Sequence, residues 1–117
     1  MLWHLGVNSG RITPEQFVAL TSTNAARTFN LWPRKGTLEV GADADVIVLD
    51  AEKTRRLSAA GQHQNTDFSV WEGLDVRGVV VRTFSRGAQL WADGELRVEA
   101  GRGRYLARKP FGHPYAA

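Results

Sequence analysis

The chain has 117 residues, a formal net charge of +3 and no cysteine. A length of this order corresponds to one domain, and the lack of cysteine excludes disulfides and thiolate metal sites and indicates a reducing, cytoplasmic setting. No apolar run approaches the roughly 18 residues of a membrane span, and the N-terminus lacks the pattern of a signal peptide, so a soluble, unprocessed protein is expected.

The first predicted helix begins at Pro14. Thr13 can cap it through its hydroxyl, proline is favoured at the first helical position, and Gln16 can return a hydrogen bond to the cap. The apolar residues of this helix recur at helical spacing and therefore need an apolar surface to pack against. They are Phe17, Val18 and Leu20.

A second short helix is predicted for residues 24–29. Two alanines favour helix there, and Asn24 can serve as the N-cap. Pro33 ends this helical region, because proline lacks the N–H that a helix interior requires.

Beyond residue 36 the apolar residues alternate as in strands. Five strands are predicted, at 37–40, 45–49, 76–84, 89–92 and 95–98. Asp93 and Gly94 suit the two-residue loop of a type I′ hairpin, and Arg86 and Gly87 indicate another tight connection, so the last three strands form an antiparallel meander. Residues 46–49 are expected to be buried, and residues 51–73 are predicted to be mostly loop, with a short strand candidate at 54–58.

No group of residues in the sequence is typical of a catalytic or metal site. The three histidines, His4, His63 and His113, are far apart, and no His-x-His pair occurs. His4 is interpreted as part of a helix end and His63 as solvated. The acids nearest to a cluster flank a strand instead of lying in one loop, so we expect them to cap turns at strand ends; they are Asp43, Asp45, Asp50 and Glu52.

Two further patterns are interpreted as structural. The tryptophans are spread along the chain and are expected to be packing anchors or contact residues; they are Trp3, Trp32, Trp71 and Trp91. The run from Gly101 to Arg104 lacks the strand and helix that flank a phosphate-binding loop, so it is predicted to be a bend that opens the C-terminal arm.

Residues 35–50, with two glycines five positions apart, paired acids and a branched apolar run, resemble the C-terminal part of the cyclic amidohydrolases. The resemblance is strongest to the dihydropyrimidinase and hydantoinase branch. Segments 6–13, 23–33, 65–73 and 101–106 are also similar to that branch, and 65–73 favours dihydropyrimidinase over dihydroorotase.

The resemblance implies an α+β, mainly β fold with three parts. Residues 1–33 correspond to the last helices of a (β/α)8 barrel, residues 34–100 to an incomplete small β-sandwich of antiparallel strands, and residues 101–117 to an extended arm. Because such a barrel alone needs roughly 250 residues, most of it is expected to lie outside this chain.

The implied parent reaction is the hydrolytic opening of a cyclic amide, which depends on a binuclear zinc or similar metal site with a carboxylated lysine. The positions of its ligands have no counterpart here. We therefore assign no catalytic, cofactor-binding or metal-binding residue to this chain, and we expect it to be inactive alone.

Three alternatives follow for the role of the chain. It can be one subunit of a split amidohydrolase, a non-catalytic module that associates with itself, or a basic nucleic-acid binder. The arginines are scattered and do not interleave with aromatic residues, which argues against nucleic acid. In the family, strands from the N-terminus complete the sandwich, so we expect either a homo-oligomer or binding to an N-terminal amidohydrolase half.

Overall fold

The computed structural model describes residues 1–108 and Pro110. This part of the chain is mainly β with two short α-helices, as predicted, and its strands form one antiparallel sheet of four where five strands were expected. The helices are α1, Pro14–Val18, and α2, Asn24–Thr28. The strands are β1, Val46–Arg56; β2, Asp75–Ser85; β3, Ala88–Ala92; and β4, Glu95–Leu96. Single helical turns occupy Trp3–Val7 and Ala59–Gly61.

The start of α1 confirms the predicted cap. The backbone N–H of Gln16 donates to the Thr13 hydroxyl over 3.2 Å, and the backbone N–H of Thr13 donates to the Gln16 side chain over 2.8 Å. This reciprocal pair satisfies two amides that a helix N-terminus leaves without partners.

The predicted cap at Asn24 is wrong. A π-helical turn, Ala19–Thr23, joins α1 to α2, and Thr23 keeps helical backbone angles with φ −63° and ψ −46°. Because the helical backbone continues through Asn24, no free helix start exists there for its side chain to cap. The region ends before Pro33, where Asn30 adopts a left-handed φ of 54°.

The sheet follows chain order, β1-β2-β3-β4, with every neighbouring pair antiparallel. Both predicted tight turns are present. Arg86 and Gly87 have φ values of 49° and 77°, and Asp93 and Gly94 have 50° and 100°. Two successive positive φ angles are what a type I′ hairpin requires, so the meander predicted for the last three strands is confirmed.

Strand β1 is longer than predicted. It continues past residue 49 to Arg56, and its register against β2 shifts between Asp50 and Thr54. A carboxylate oxygen of Asp50 accepts from the backbone N–H groups of Glu52 and Lys53, each over 3.0 Å. Asp50 therefore stabilises a bulge inside the strand, and its predicted place at a strand end is wrong.

The predicted strand at 37–40 is also wrong. Gly36 and Gly41, with φ values of 81° and 97°, turn the backbone at each side of it, and the Leu38 side chain is 82% exposed. None of the strand pairings in the described residues includes this segment. An alternating pattern becomes a strand only where a neighbour supplies the hydrogen-bonded ladder.

The N-terminal turn Trp3–Val7 packs on the part of β2 that β3 does not reach. The backbone N–H of Arg77 donates to His4 over 3.2 Å, and its carbonyl accepts from the Asn8 amide over 3.0 Å. Gly78 lies directly under the Trp3 ring, where any side chain would overlap the indole. These contacts protect a stretch of strand edge that would otherwise be open.

The described residues bury few apolar side chains. Only Ala26, Val76 and Ala92 are buried among them. Ile47 and Val48 remain 50% and 44% exposed, so the expected burial of residues 46–49 is wrong for this chain by itself. None of the described helices has the length and apolar character needed to cross a membrane.

The C-terminal arm begins at a bend, as predicted, since Gly101 has a φ of 80°. Residues 102–108 have no regular secondary structure. Two parts of the predicted arm lie outside the described residues: Lys109, and residues 111–117, which include His113.

Candidate functional site

The first candidate site is an apolar depression on the sheet, with a volume of about 600 Å³. We call it the open apolar face and define it by six residues that line it: Ile47, Val80, Leu90, Trp91, Leu96 and Val98. Leu96 and Val98 are about half exposed, at 52% and 49%. Apolar side chains gathered on one exposed surface are typical of an interaction surface.

The helical region leaves apolar side chains uncovered in the same way. Phe17 packs its ring edge-on against Trp3, with 5.2 Å between the ring centroids. Val18 and Leu20, however, are 53% and 55% exposed. Of the three residues predicted to need an apolar surface, Phe17 thus packs against another described side chain, whereas Val18 and Leu20 remain largely exposed.

A second candidate is a cluster of opposite charges, which we call the charged turn: Arg34, Lys35, Asp43 and Asp45. Lys35 pairs with Asp43 over 2.8 Å and also with Asp45, and Arg34 pairs with Asp43 over 3.2 Å. The second oxygen of Asp45 accepts from the backbone N–H of Arg86 over 2.8 Å. The turn is thereby attached to the β2–β3 hairpin, which agrees with the predicted turn-capping role of Asp43 and Asp45.

These contacts shift the pKa values of the charged turn. The hydrogen bond from Lys35 lowers the pKa of Asp43. Partial burial works against ionisation of Asp45, but hydrogen bonds from Lys35 and from the Arg86 N–H outweigh it and lower its pKa. Burial also works against the charge of Lys35, yet its two carboxylate partners raise its pKa. Ion pairing therefore favours the charged forms of all three groups.

The described residues do not fit a binuclear metal site. Among them no three histidine, cysteine, aspartate or glutamate side chains come close enough together to hold a metal ion. His4 accepts a hydrogen bond from β2, and His63 contacts Trp91 edge-on at 5.1 Å. Glu52 lies inside β1 and pairs with Arg77 of β2 over 3.4 Å, so its predicted place at a strand end is wrong. We assign no metal-dependent step to these residues.

Three of the four tryptophans contact neighbouring side chains, as predicted for packing anchors. Trp3 packs on Phe17, Trp91 on His63, and Trp32 lies under the Arg27 guanidinium at 5.2 Å from the ring centroid. Trp71 is 45% exposed. Sequence reasoning missed a pocket that Arg86 and Arg102 line together, because these residues lie far apart in the chain and meet only through the fold.

Comparisons with known proteins all indicate the same family. The family model described as "Amidohydrolase family" matches residues 1–96. The D-phenylhydantoinase of Escherichia coli K12 is 48% identical over 114 residues, which span 97% of this chain and 25% of that enzyme. The chain thus spans about a quarter of the length of the curated relatives it matches.

Solved structures show the same relation. The D-hydantoinase of Bacillus sp. AR9 superposes with a TM-score of 0.90 at 42% identity, covering 96% of this chain and 25% of that one. The dihydropyrimidinase of Brevibacillus agri NCHU1002 superposes with a TM-score of 0.91 at 40% identity, covering 97% and 24%. The family model thus matches residues 1–96, and the fold of nearly the whole chain matches a hydantoinase and a dihydropyrimidinase. The chain belongs to the amidohydrolase family.

Proposed function

We propose that this chain is the C-terminal quarter of a cyclic amidohydrolase of the hydantoinase and dihydropyrimidinase type, and that it contributes structure to that enzyme. Residues 1–33 supply the last barrel helices, residues 34–100 part of a small β-sandwich, and residues 101–117 the arm. The observation that carries this proposal is the combination of a quarter-length match with an open apolar face.

The parent reaction in this proposal adds water across a C–N bond of a cyclic amide and opens the ring to an N-carbamoyl amino acid. The metal ions and the residues that hold them belong to the other three quarters of the enzyme. Those quarters are either continuous with this chain or carried by a separate polypeptide, as in a split enzyme. The chain alone is inactive.

The open apolar face supports this division of roles. Ile47 and Leu96 of the sheet are half exposed, although Asp45 of the charged turn already has its hydrogen-bond partner in the β2–β3 hairpin. The exposed Val18 and Leu20 point to the same need in the helical region. Covering these side chains is favourable by about 25 cal/mol for each Å² removed from water.

The experiment is reconstitution of activity. The chain is co-expressed with Escherichia coli D-phenylhydantoinase from which the matching quarter has been deleted, and opening of a phenyl-substituted hydantoin is measured. We expect ring opening from the pair and none from either part. The enzyme's own quarter, expressed as a separate chain, is the positive control.

Ring opening by this chain alone would contradict the proposal. So would the absence of activity when the control pair is active and this chain is shown to be bound to the shortened enzyme.

The same apolar face also supports a second candidate, a module that associates with itself. A sheet that leaves Ile47 and Val98 half exposed can cover them with a second copy. Sedimentation at micromolar concentration distinguishes the two: a stable oligomer that the shortened enzyme does not dissociate supports self-association, and a heterodimer supports the first proposal.

A further inference from the structure

A second pocket, of about 520 Å³, lies between the charged turn, the β2–β3 hairpin and the start of the arm. Leu90 and Val98 contribute apolar surface to it. Its charged lining is strongly cationic, with one carboxylate, Asp43, among five basic side chains. Those five are Arg34, Lys35, Arg86, Arg102 and Arg104.

The charges of the charged turn cancel within the turn itself. Its two basic residues, Arg34 and Lys35, face two carboxylates, Asp43 and Asp45, and all four take part in ion pairs. The charge that remains in the pocket therefore comes from three arginines. None of these three forms an ion pair with a carboxylate among residues 1–108 and Pro110.

Arg102 is held in place by contacts at both its side chain and its backbone. Its Nη2 donates to the Ser85 carbonyl over 3.0 Å, and its own carbonyl accepts from Arg86 Nη2 over 2.5 Å. Its Nη1 is buried and has no hydrogen-bond partner in the described part of the chain. A buried donor without a partner is costly, more so when it carries charge.

We propose that this arginine pocket, formed by Arg86, Arg102 and Arg104, binds a small oxyanion, either a phosphate or a carboxylate. Guanidinium groups match the planar spacing of such oxygens and form charge-assisted hydrogen bonds with them. The oxyanion offsets the mutual repulsion of the three cations. The apolar side chains of Leu90 and Val98 reduce screening by water.

The test is calorimetric titration of the 117-residue chain at low ionic strength with inorganic phosphate and, separately, with acetate. Sodium chloride at matched ionic strength gives the background. We expect saturable phosphate binding with a Kd of about 1 mM or tighter. Tighter binding of phosphate assigns the pocket to a phosphorylated ligand, and equal or tighter binding of acetate assigns it to a carboxylate; both results support an oxyanion site.

Two variants locate the site. Arg104→Gln leaves the hydrogen bonds of Arg102 to the hairpin intact and is expected to weaken phosphate binding about fivefold to tenfold. Arg102→Lys keeps the charge but removes the guanidinium fork, and a loss of about tenfold is expected. Arg11→Gln removes one positive charge from a residue that does not line the pocket, and binding should stay within about twofold of the parent.

Two results would overturn the inference. One is the absence of any saturable heat beyond the chloride background for both anions. The other is an equal weakening by Arg11→Gln and Arg104→Gln, which would show a diffuse response to net charge and no defined site. Circular dichroism of each variant confirms that the chain remains folded, and Arg104→Gln retains the test if Arg102→Lys does not fold.

Discussion

At the charged turn, each carboxylate of Asp43 and Asp45 meets a basic side chain of the same chain, whereas at the open apolar face Ile47 and Leu96 remain half exposed to water. The two regions differ in where the partners of their side chains come from. The ion pairs Arg34–Asp43 and Lys35–Asp45 of the turn join residues only nine and ten positions apart. Apolar groups of the sheet require a surface that the described residues do not supply.

This difference explains how a chain that spans about a quarter of its relatives' length can keep its local shape and still lack a large core. Hairpin turns and ion pairs are short-range and form within the segment. Burial of many large side chains depends on a second layer. Among the described residues of the sheet, only Val76 and Ala92 are buried.

Gly78→Ala should cause the largest loss of stability. The new methyl group would overlap the Trp3 ring at a residue whose φ is 97°, so we expect the free energy of unfolding to fall by about 3 kcal/mol. Gly94→Ala is the companion variant. It shares the positive φ of 100° but faces open space, and about 1 kcal/mol is expected. Urea unfolding measures both, and equal losses would show that the Trp3 contact contributes nothing.

The next effect compares a buried and an exposed position on the sheet. Val76→Ala, at a side chain only 5% exposed, should cost about 2 kcal/mol. Ile47→Ala, at a side chain 50% exposed, should cost less than about 1 kcal/mol in the isolated chain. Bound to the shortened hydantoinase, Ile47→Ala should become the more costly variant of the two, as measured by the melting temperature of the complex. The same order in both states would contradict an interface at this face.

A smaller effect is expected at the helix cap. Thr13→Ala removes the hydroxyl that accepts from Gln16, so stability should fall by about 1 kcal/mol. Thr21→Ala removes an exposed hydroxyl that donates to the Phe17 carbonyl within the helix, and a change within about 0.5 kcal/mol is expected. Helical circular dichroism and urea unfolding test the pair; a larger loss at Thr21 would contradict the cap.

The smallest effect is expected from Lys35→Met, because the charged turn is partly open to water. The lowered pKa values of Asp43 and Asp45 contribute stability that is present above pH 3.8, their ordinary value, and is lost as pH falls through the lowered values of the folded chain. The raised pKa of Lys35 contributes stability that is present below pH 10.5 and is lost as pH rises through the raised value.

The difference in unfolding free energy between the parent chain and Lys35→Met should therefore be flat near neutral pH and shrink below pH 3.8 and above pH 10.5. Lys53→Met removes an exposed lysine whose side chain lies outside the turn and should show no such profile. A difference that does not vary with pH would mean that Lys35 acts through packing of its aliphatic stem.

Features that depend on a few adjacent residues could be predicted from the sequence. The cap at Thr13 and the turns at Gly87 and Gly94 are fixed by local backbone chemistry, and the structure confirms them. Features that depend on neighbours could not. Residues 37–40 alternate like a strand but have no paired neighbour, and residues 46–49 have the composition of a buried strand without the cover that would bury them.

The candidate sites follow the same rule. The apolar residues of the sheet were predicted to need a partner, and their exposure agrees with that expectation. The arginine pocket could not be predicted, because Arg86 and Arg102 are brought together by a hairpin and a bend that lie 16 residues apart. Asp50 was placed at a strand end because a bulge leaves no clear pattern in a single sequence.

The proposed interface at the open apolar face is tested most directly by the accessibility of Ile47 in the presence of the shortened D-phenylhydantoinase. The chain has no cysteine, so Ile47→Cys and Glu39→Cys each provide one reactive thiol, on the open apolar face and on an exposed turn respectively. Maleimide labelling of each variant, alone and bound to the shortened D-phenylhydantoinase, is followed by mass spectrometry. We expect binding through the open apolar face to slow labelling at position 47 at least about tenfold, equivalent to 1.4 kcal/mol, and to leave position 39 unchanged. A complex in which position 47 labels as fast as in the free chain would contradict it.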